Sequence, residues 1–252
     1  MGQVPAATRA LRVLRFLASQ ADPVTLQAIA NAVGIPRSTA YHLLGVMVEE
    51  GFVVHLADEH RYGLGVAAFE VGSGYARQEP LQRLARRPLA ALVDTVGQSA
   101  HLAVLHGRDV LYVVEERAPG RPPLVSDVGV RLPAHLTASG RAILASLPAA
   151  QVRALYPDRA AFVDRHGAGP SSPSALRALL VETRQRGYAM EDGEVTPGFS
   201  SVAAVVLDHT GHPVAGVAVT FPGEDSVDLP RTIEATRRTA ERLTARLRGR
   251  TT

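Results

Sequence analysis

The 252-residue chain contains no cysteine and no lysine. Without cysteine there are no disulfides, thiolate metal sites or cysteine nucleophiles. Without lysine there is no Schiff-base catalysis and no P-loop lysine, and all 27 basic residues are arginine. Long apolar runs are missing too: none approaches the roughly 18 residues of a membrane span. The opening "MGQVPAATRALRVL" lacks the apolar block and cleavage site of a secretory signal. These absences lead us to expect a cytoplasmic protein with no membrane partner. The hydrophobic share of 46% is enough for ordinary cores, in one large domain or two small ones.

The net charge of +3 is small, so its distribution says more than its size. Up to Gly65, Asp22, Glu49, Glu50, Asp58 and Glu59 balance Arg9, Arg12, Arg15, Arg37 and Arg61. The acids cluster at 49–50 and 58–59, which leaves room for a positive surface around Arg37. The final "RTIEATRRTAERLTARLRGR" is strongly basic, yet Ile233, Thr236, Ala240, Leu243 and Leu247 recur at helical spacing. It reads as a terminal helix packed on one side and solvated on the other.

The first 65 residues hold three helical patterns and a hairpin. "RALRVLRFLAS" carries Leu11, Leu14, Phe16 and Leu17 at helical spacing before "ADP" interrupts it. Thr25 caps a second helix whose Leu26, Ile29, Ala30 and Val33 share a face, and Gly34 ends it in the left-handed conformation. Pro36 opens a third, with Ala40, Leu43, Leu44, Met47 and Val48 as its buried side. Small Ala30, turn-forming Gly34 and apolar Ile35 have the spacing of a helix-turn-helix, where close crossing demands a small side chain and the sharp turn a glycine. After Gly51, "FVVHL", "ADEH" and "RYGLG" read as strand, turn and strand, the wing of a winged helix. That fold puts Arg37, Ser38, Thr39, Tyr41 and His42 at the exposed start of a recognition helix, with Thr25 beside them. Arginine pairs with guanine edges or phosphate, hydroxyls suit phosphate oxygens, and Arg61 in the wing reaches the backbone or minor groove of double-stranded DNA. "GLGVAA" at 63–68 fits G-x-G-x-x-A, but a dinucleotide site needs a parallel βαβ unit. Here the strand belongs to a hairpin, and "VAAFEVGSGYARQ" reads as a linker helix.

From Gln78 the character changes. "EPLQRLARRPLAALVDTVGQS" reads as helices punctuated by Pro80 and Pro88. "SAHLAVLHG" and "DVLYVVEERA" alternate as strands about a turn at 107–109, as do "SVAAVVLD" and "PVAGVAVTF" about "HTGH". Helices flanking an antiparallel sheet make an α+β domain. Within it Thr137 caps a helix over "ASGRAILASL", with the N–H groups near Ala138, Ser139 and Gly140 pointing outward at a positive dipole end, an anion site suited to a carboxylate.

A hydrolase or other small-molecule enzyme with an accessory winged-helix interaction module is the rival reading. His135 and Ser139 lie four apart, with Glu191, Asp192 and Glu194 in the same chain. "TASGR" nevertheless lacks the first glycine of G-x-S-x-G and follows no strand-to-helix elbow. His209 and His212 sit in a turn, and no ligand spacing joins His101, His106 and His135. No catalytic residue, metal or cofactor is expected.

In order and spacing, "RALRVLRFLA", "TLQAIANAVGIPRSTAYHLLGVMVEEGFV", "RYGLG", "LPAHLTASGRAILA", "GYAMEDGE" and "GFSSVAAVVLDHTGHPVAGVAVTFP" resemble the IclR family of bacterial transcriptional regulators over nearly the full chain. The resemblance implies a winged helix-turn-helix domain over 1–65, a linker helix over 66–77, and a GAF-like α/β effector-binding and oligomerisation domain over 78–252. It implies homodimers, assembling as dimers of dimers on a pseudo-palindromic operator. It places a small-molecule effector at the Thr137 turn, against Glu191, Phe199, Ser201, Ala218 and Thr220. Ser201 stands where many members have cysteine, Val205 where many have proline, and His42 where many have arginine.

Overall fold

The first helix, α1 (Pro5–Ala18), buries Val13 and Leu17 and leaves Leu11 60% exposed, in a computed structural model that describes residues 4–78, 80–223 and 227–248. Leu11, one of the four apolar residues at helical spacing, thus lies off the buried face. The buried stripe runs through Val13 and Leu17, four apart, with Leu14 and Phe16 at its edges. Two residues form a short strand, β1 (Val24–Thr25), and α2 (Leu26–Val33) follows. Thr25 Oγ1 accepts from the Ala28 N–H at 3.3 Å, and Gly34 closes the helix at φ 71°. In α3 (Arg37–Glu49) the inner face is Ala40, Leu44 and Met47. Val48, expected there, is turned out to solvent, because one further residue rotates it about 100° from Met47.

The wing is β2 (Val53–Leu56) and β3 (Arg61–Leu64), joined by a short 3-10 turn at Ala57–Glu59 and by His60 at φ 53°. With β1 they make an antiparallel sheet in the order β1-β3-β2. A Cβ on Gly65 would stand 2.2 Å from the Gly51 carbonyl oxygen. Gly65 is thus required by close backbone approach at the foot of the hairpin, which accounts for the "GLG" tripeptide without a nucleotide. Helix α4 (Val66–Gln78) follows.

Contacts divide the chain into residues 1–79 and 80–252. The second unit opens with α5 (Pro80–Val96), one helix that runs through Pro88. The expected break there does not occur. Pro88 lacks the N–H that would bond Leu84, but Leu81, Ala85, Leu89 and Leu92 are all buried against the sheet. The Arg246 guanidinium comes within 3.5 Å of the orphaned Leu84 carbonyl. Burial plus that substitute donor offset a penalty of roughly 3 kcal/mol.

The sheet comprises β4 (Ser99–His106), β5 (Asp109–Glu116), β6 (Arg131–Pro133), β7 (Ala189–Asp192), β8 (Phe199–Leu207) and β9 (Pro213–Pro222). Their order is β6-β5-β4-β9-β8-β7, with every pairing antiparallel. One face is covered by α5 and α9 (Leu229–Arg248), where Leu102, Val114, Val206 and Val217 of the sheet cluster with Leu89, Leu92 and Leu243 of the helices. On the other face lie α6 (Ala138–Ser146), α7 (Ala149–Leu155) and α8 (Pro173–Arg186), where Ala103 and Val110 of the sheet cluster with Leu144, Leu176 and Leu180 of the helices.

Helix α6 is buried from Ala138 to Ala145, and its depth depends on small residues. A Cβ on Gly216 of β9 would lie 2.7 Å from the Ser139 carbonyl oxygen, and one on Gly140 would lie 2.2 Å from that of Ala134. The start of α6 is wedged between strand and loop. Gly→Ala inside a helix ordinarily stabilises by about 1 kcal/mol, but here the sign reverses. Gly140→Ala and Gly216→Ala should each destabilise the second unit by about 1–3 kcal/mol through overpacking against backbone. Chemical denaturation of the full chain checks this, and unchanged midpoints would show that α6 has slack.

Candidate functional site

In the first unit, the end of α2, Gly34 and Pro36 form a tight turn. The Gly34 and Ile35 N–H groups both donate to the Ala30 carbonyl, each at 3.0 Å, so α3 emerges with its first turn free. Arg37, Ser38 and His42 are exposed, and Tyr41 is 61% exposed. An open groove of about 1010 Å³ runs along this surface, lined by Thr25, Arg37, Ser38, Tyr41 and His42 among the expected residues. Two expected residues sit otherwise. Thr39 is half-buried and outside the groove, and Arg61 turns Nη1 to the Pro23 carbonyl at 2.8 Å, tying wing to loop.

Gln27, His55, His60 and Tyr62 also line the groove and were missed from the sequence. His55 and Tyr62 are register partners across β2 and β3, and their rings stack 4.4 Å apart at 17°. The pairing register of the hairpin was the signal. The groove's lining holds arginine, imidazoles and hydroxyls and no carboxylate, a surface suited to phosphate and base edges.

In the second unit a cavity of about 30 Å³ lies at the start of α6. Of the eight residues expected at an effector site, Ala138, Ser139, Glu191, Phe199, Ser201, Ala218 and Thr220 line it. Gly140 does not. Its N–H is spent on the Thr137 Oγ1 at 3.0 Å, and its Cβ direction meets Ala134. Nor does the α6 terminus point out to water as expected, since it is buried against the sheet. Sheet register explains why residues so far apart in sequence meet: Glu191 pairs with Ser201, and Ser201 with Thr220, in one row across β7, β8 and β9. Thr137 lines it as well, and Tyr112, Leu124, Val125, Ser126, Leu132, Val195 and Thr196 complete the wall. Nothing in their own sequence context marked the last seven.

The row is hydrogen-bonded. Ser201 Oγ donates to Glu191 Oε1 at 2.6 Å and lies 2.9 Å from Thr220 Oγ1. Glu191 Oε2 and Ser139 Oγ are buried without a partner at hydrogen-bond distance, with the Val195 N–H and the Tyr112 hydroxyl as their respective longer-range neighbours. Burial pushes the Glu191 carboxyl up to about 7, with the nearby Glu194 adding to the rise and Ser201, Arg141 and the Val195 N–H opposing it. Burial likewise pushes the Tyr112 hydroxyl up to about 12. Arg141, 2% exposed, is the charged neighbour that sequence reading overlooked. Its guanidinium donates to the His135 carbonyl at 2.9 Å, the Met190 carbonyl at 2.7 Å and Glu194 Oε1 at 2.8 Å.

Over the cavity, the segment 117–130 is clamped to the sheet. Ser126 Oγ lies 2.9 Å from His101 Nε2, and Arg117 pairs with both Glu115 and Asp127. His101, then Arg117, hold the Glu115 carboxyl down to about 2. Ser126, His101 and Glu115 do not make a nucleophile triad. Serine and carboxylate approach the same ring nitrogen, at 2.9 and 3.8 Å, while Nδ1 has no partner, and a relay needs both nitrogens. His135 is held by the Val163 carbonyl at 3.0 Å and His106 by Arg131 at 2.8 Å, so the three histidines do not converge. The described residues contain no group of three or more histidines and carboxylates able to hold a metal.

Comparison with known proteins agrees across both units. The IclR helix-turn-helix domain matches residues 6–57, and the C-terminal domain of bacterial transcriptional regulator IclR matches residues 73–245. The transcriptional repressor IclR of Escherichia coli K12 is 30% identical over 223 residues, covering 88% of this chain and 81% of that protein. An IclR transcriptional regulator from Alicyclobacillus acidocaldarius is similar with a TM-score of 0.85 at 26% identity, over 97% of this chain and 99% of the other. An IclR homologue from Microbacterium hydrocarbonoxydans, crystallised with 4-hydroxybenzoate, shares the fold with a TM-score of 0.78 at 24% identity, over 97% and 99% of the two chains.

The raised Glu191 carboxyl makes stability pH-dependent. Between its ordinary value of 4.5 and about 7, the folded chain keeps a proton that the unfolded chain loses. Stability therefore declines as pH rises through that window, by at most about 3 kcal/mol. Glu191→Gln should remove this decline. Denaturation of both proteins at pH 5 and pH 7.5 tests it: the parent loses stability relative to the variant, whereas parallel behaviour would mean that Glu191 titrates normally.

Proposed function

The chain belongs to the IclR family of bacterial transcriptional regulators, and from that premise we propose that it is a cytoplasmic repressor whose operator binding is governed by a small carboxylate or aromatic acid held at the start of α6. Its relatives are regulators and not enzymes, and the hydrolase alternative falls with that. Among the described residues no helix is long and apolar enough to cross a membrane.

Arg37, Ser38, Tyr41 and His42 enter the major groove of a double-stranded operator, with Thr25 and the wing on its backbone. Paired protomers, as a homodimer or a dimer of dimers, read a pseudo-palindrome. The observation that carries the effector reading is the cavity where Glu191, Ser201 and Thr220 meet the α6 terminus with two buried polar atoms unpaired. Buried polar groups left without partners are costly unless a ligand or water satisfies them. A volume of about 30 Å³ holds a water or two, so an organic acid enters only as the wall at Leu124, Val125 and Ser126 yields. A differential affinity of a few kcal/mol between DNA-competent and DNA-incompetent states then switches occupancy.

Arg37→Ala should weaken binding to the DNA upstream of the protein's own gene by about 1–3 kcal/mol at fixed salt. Mobility shifts measure this, and footprints should show two related half-sites. Unchanged affinity, or one isolated half-site, would count against this docking. Ser139→Leu should fill the cavity and abolish ligand response while leaving ligand-free DNA binding near normal. Calorimetric titration with whichever acid raises the melting temperature decides it, and undiminished binding would move the pocket elsewhere.

A further inference from the structure

The cavity is built for hydrogen bonding, yet no cation lines it. Glu191 is 4% exposed, and its Oε2 is buried with no partner at hydrogen-bond distance, the Val195 N–H being the backbone donor close enough to act on the carboxyl. The titratable and charged groups around it are Tyr112 from β5, Arg141 from α6 and Glu194 after β7, and its polar neighbours include Ser201 from β8, Thr220 from β9, Ser139 from α6 and the Val195 N–H. Arg141 is the single cation among them. Its guanidinium is engaged with two carbonyls and Glu194, and it does not line the cavity. A ligand carboxylate entering here therefore meets hydroxyls, the α6 terminus and a second carboxyl group.

Two ionised carboxylates at hydrogen-bond distance in a dry site repel, and one of the pair takes a proton. We propose that the effector's carboxylate binds Glu191 Oε2 across one shared proton, with the Ser139 hydroxyl on its other oxygen, so that the site takes monocarboxylic acids and rejects ligands bringing a second carboxylate. The inference rests on the effector reading above and adds the protonation state and charge class of the ligand. The shared proton comes from solvent. Below the Glu191 ionisation it is already in place, and above it each ligand bound takes up one proton. The proton also gives Oε2 the partner it lacks in the ligand-free chain, as a short charge-assisted bond.

The test uses the full chain with acetate, propanoate, benzoate and 4-hydroxybenzoate as monocarboxylates, malonate and succinate as dicarboxylates, and glycerol as a neutral control. Thermal shift at pH 6 selects the binder. Titration calorimetry at pH 8, in two buffers of different ionisation enthalpy, should then show close to one proton taken up per ligand. Affinity should fall towards tenfold per pH unit above about 7 and flatten below it. Dicarboxylates should not bind. Glu191→Gln should keep monocarboxylate binding, lose the proton uptake and flatten the pH profile, and the buffer experiment on the parent chain stands if that variant fails to fold. Monocarboxylate binding without proton uptake overturns the shared proton, and so does preference for glycerol or for a dicarboxylate, or silence from every monocarboxylate at pH 6. Binding that persists in Ser139→Leu would instead overturn the location of the site, which separates the two failures.

Discussion

The second unit is organised around the burial of one charge. Removing a guanidinium from water costs several kcal/mol unless its donors are met, and Arg141 meets that cost with two backbone carbonyls and a carboxylate drawn from three separate stretches of chain. Those partners are the turn before α6, strand β7, and the loop that follows it. Because all three must converge on one planar group, the start of α6, the edge of the sheet and the position of Glu191 are fixed together. A cavity lined by residues 138, 191, 201 and 220 exists because that convergence holds.

The same arrangement sets the electrostatics of the cavity. Glu194 pairs with Arg141 at 2.8 Å and so takes the cation's direct hydrogen bond, leaving Glu191, its neighbour three positions back, only a longer-range attraction. Glu194 also accepts from the Asp192 N–H, which keeps the loop tight behind β7. Asp192, by contrast, points to the other side of its strand and accepts from Ser200. Three carboxylates within four residues thus have three fates, one paired with a cation, one bonded to a serine at the strand edge, and one left in the interior with an oxygen unpaired. Strand alternation separates Glu191 from Asp192, and the loop after β7 turns Glu194 back onto Arg141.

The helix-turn-helix was readable because its determinants are local. Gly34 demands a left-handed turn, Thr25 a cap and Pro36 a helix start, and each acts within four residues. The inner faces were less readable. Leu11 and Val48 have the hydrophobicity of core residues, but which of several apolar neighbours turns inward depends on the partner helix, as Val13 shows. Pro88 misled for a related reason, since a local rule predicts a break and the compensating donor, Arg246, lies 158 positions later. Arg141, alone among the small and apolar residues of "ASGRAILA", was a visible anomaly whose partners no spacing revealed. Ala138 and Ser139 were found from the Thr137 cap and five further cavity residues through family resemblance, whereas Tyr112 and Ser126 needed the register of β5 and the path of the segment above it.

The Arg246–Leu84 contact and the central pairing of β4 with β9 share a consequence for how the protein is made. A ribosome delivers the winged helix complete by residue 64, and its contacts are short-range enough to form at once. The second unit has to wait. Its middle strand pair joins residues 99–103 to 216–220, and its first helix receives the donor for its orphaned carbonyl only when residue 246 appears. A nascent chain therefore carries a finished DNA-reading unit, without a ligand-sensing one, for most of its synthesis.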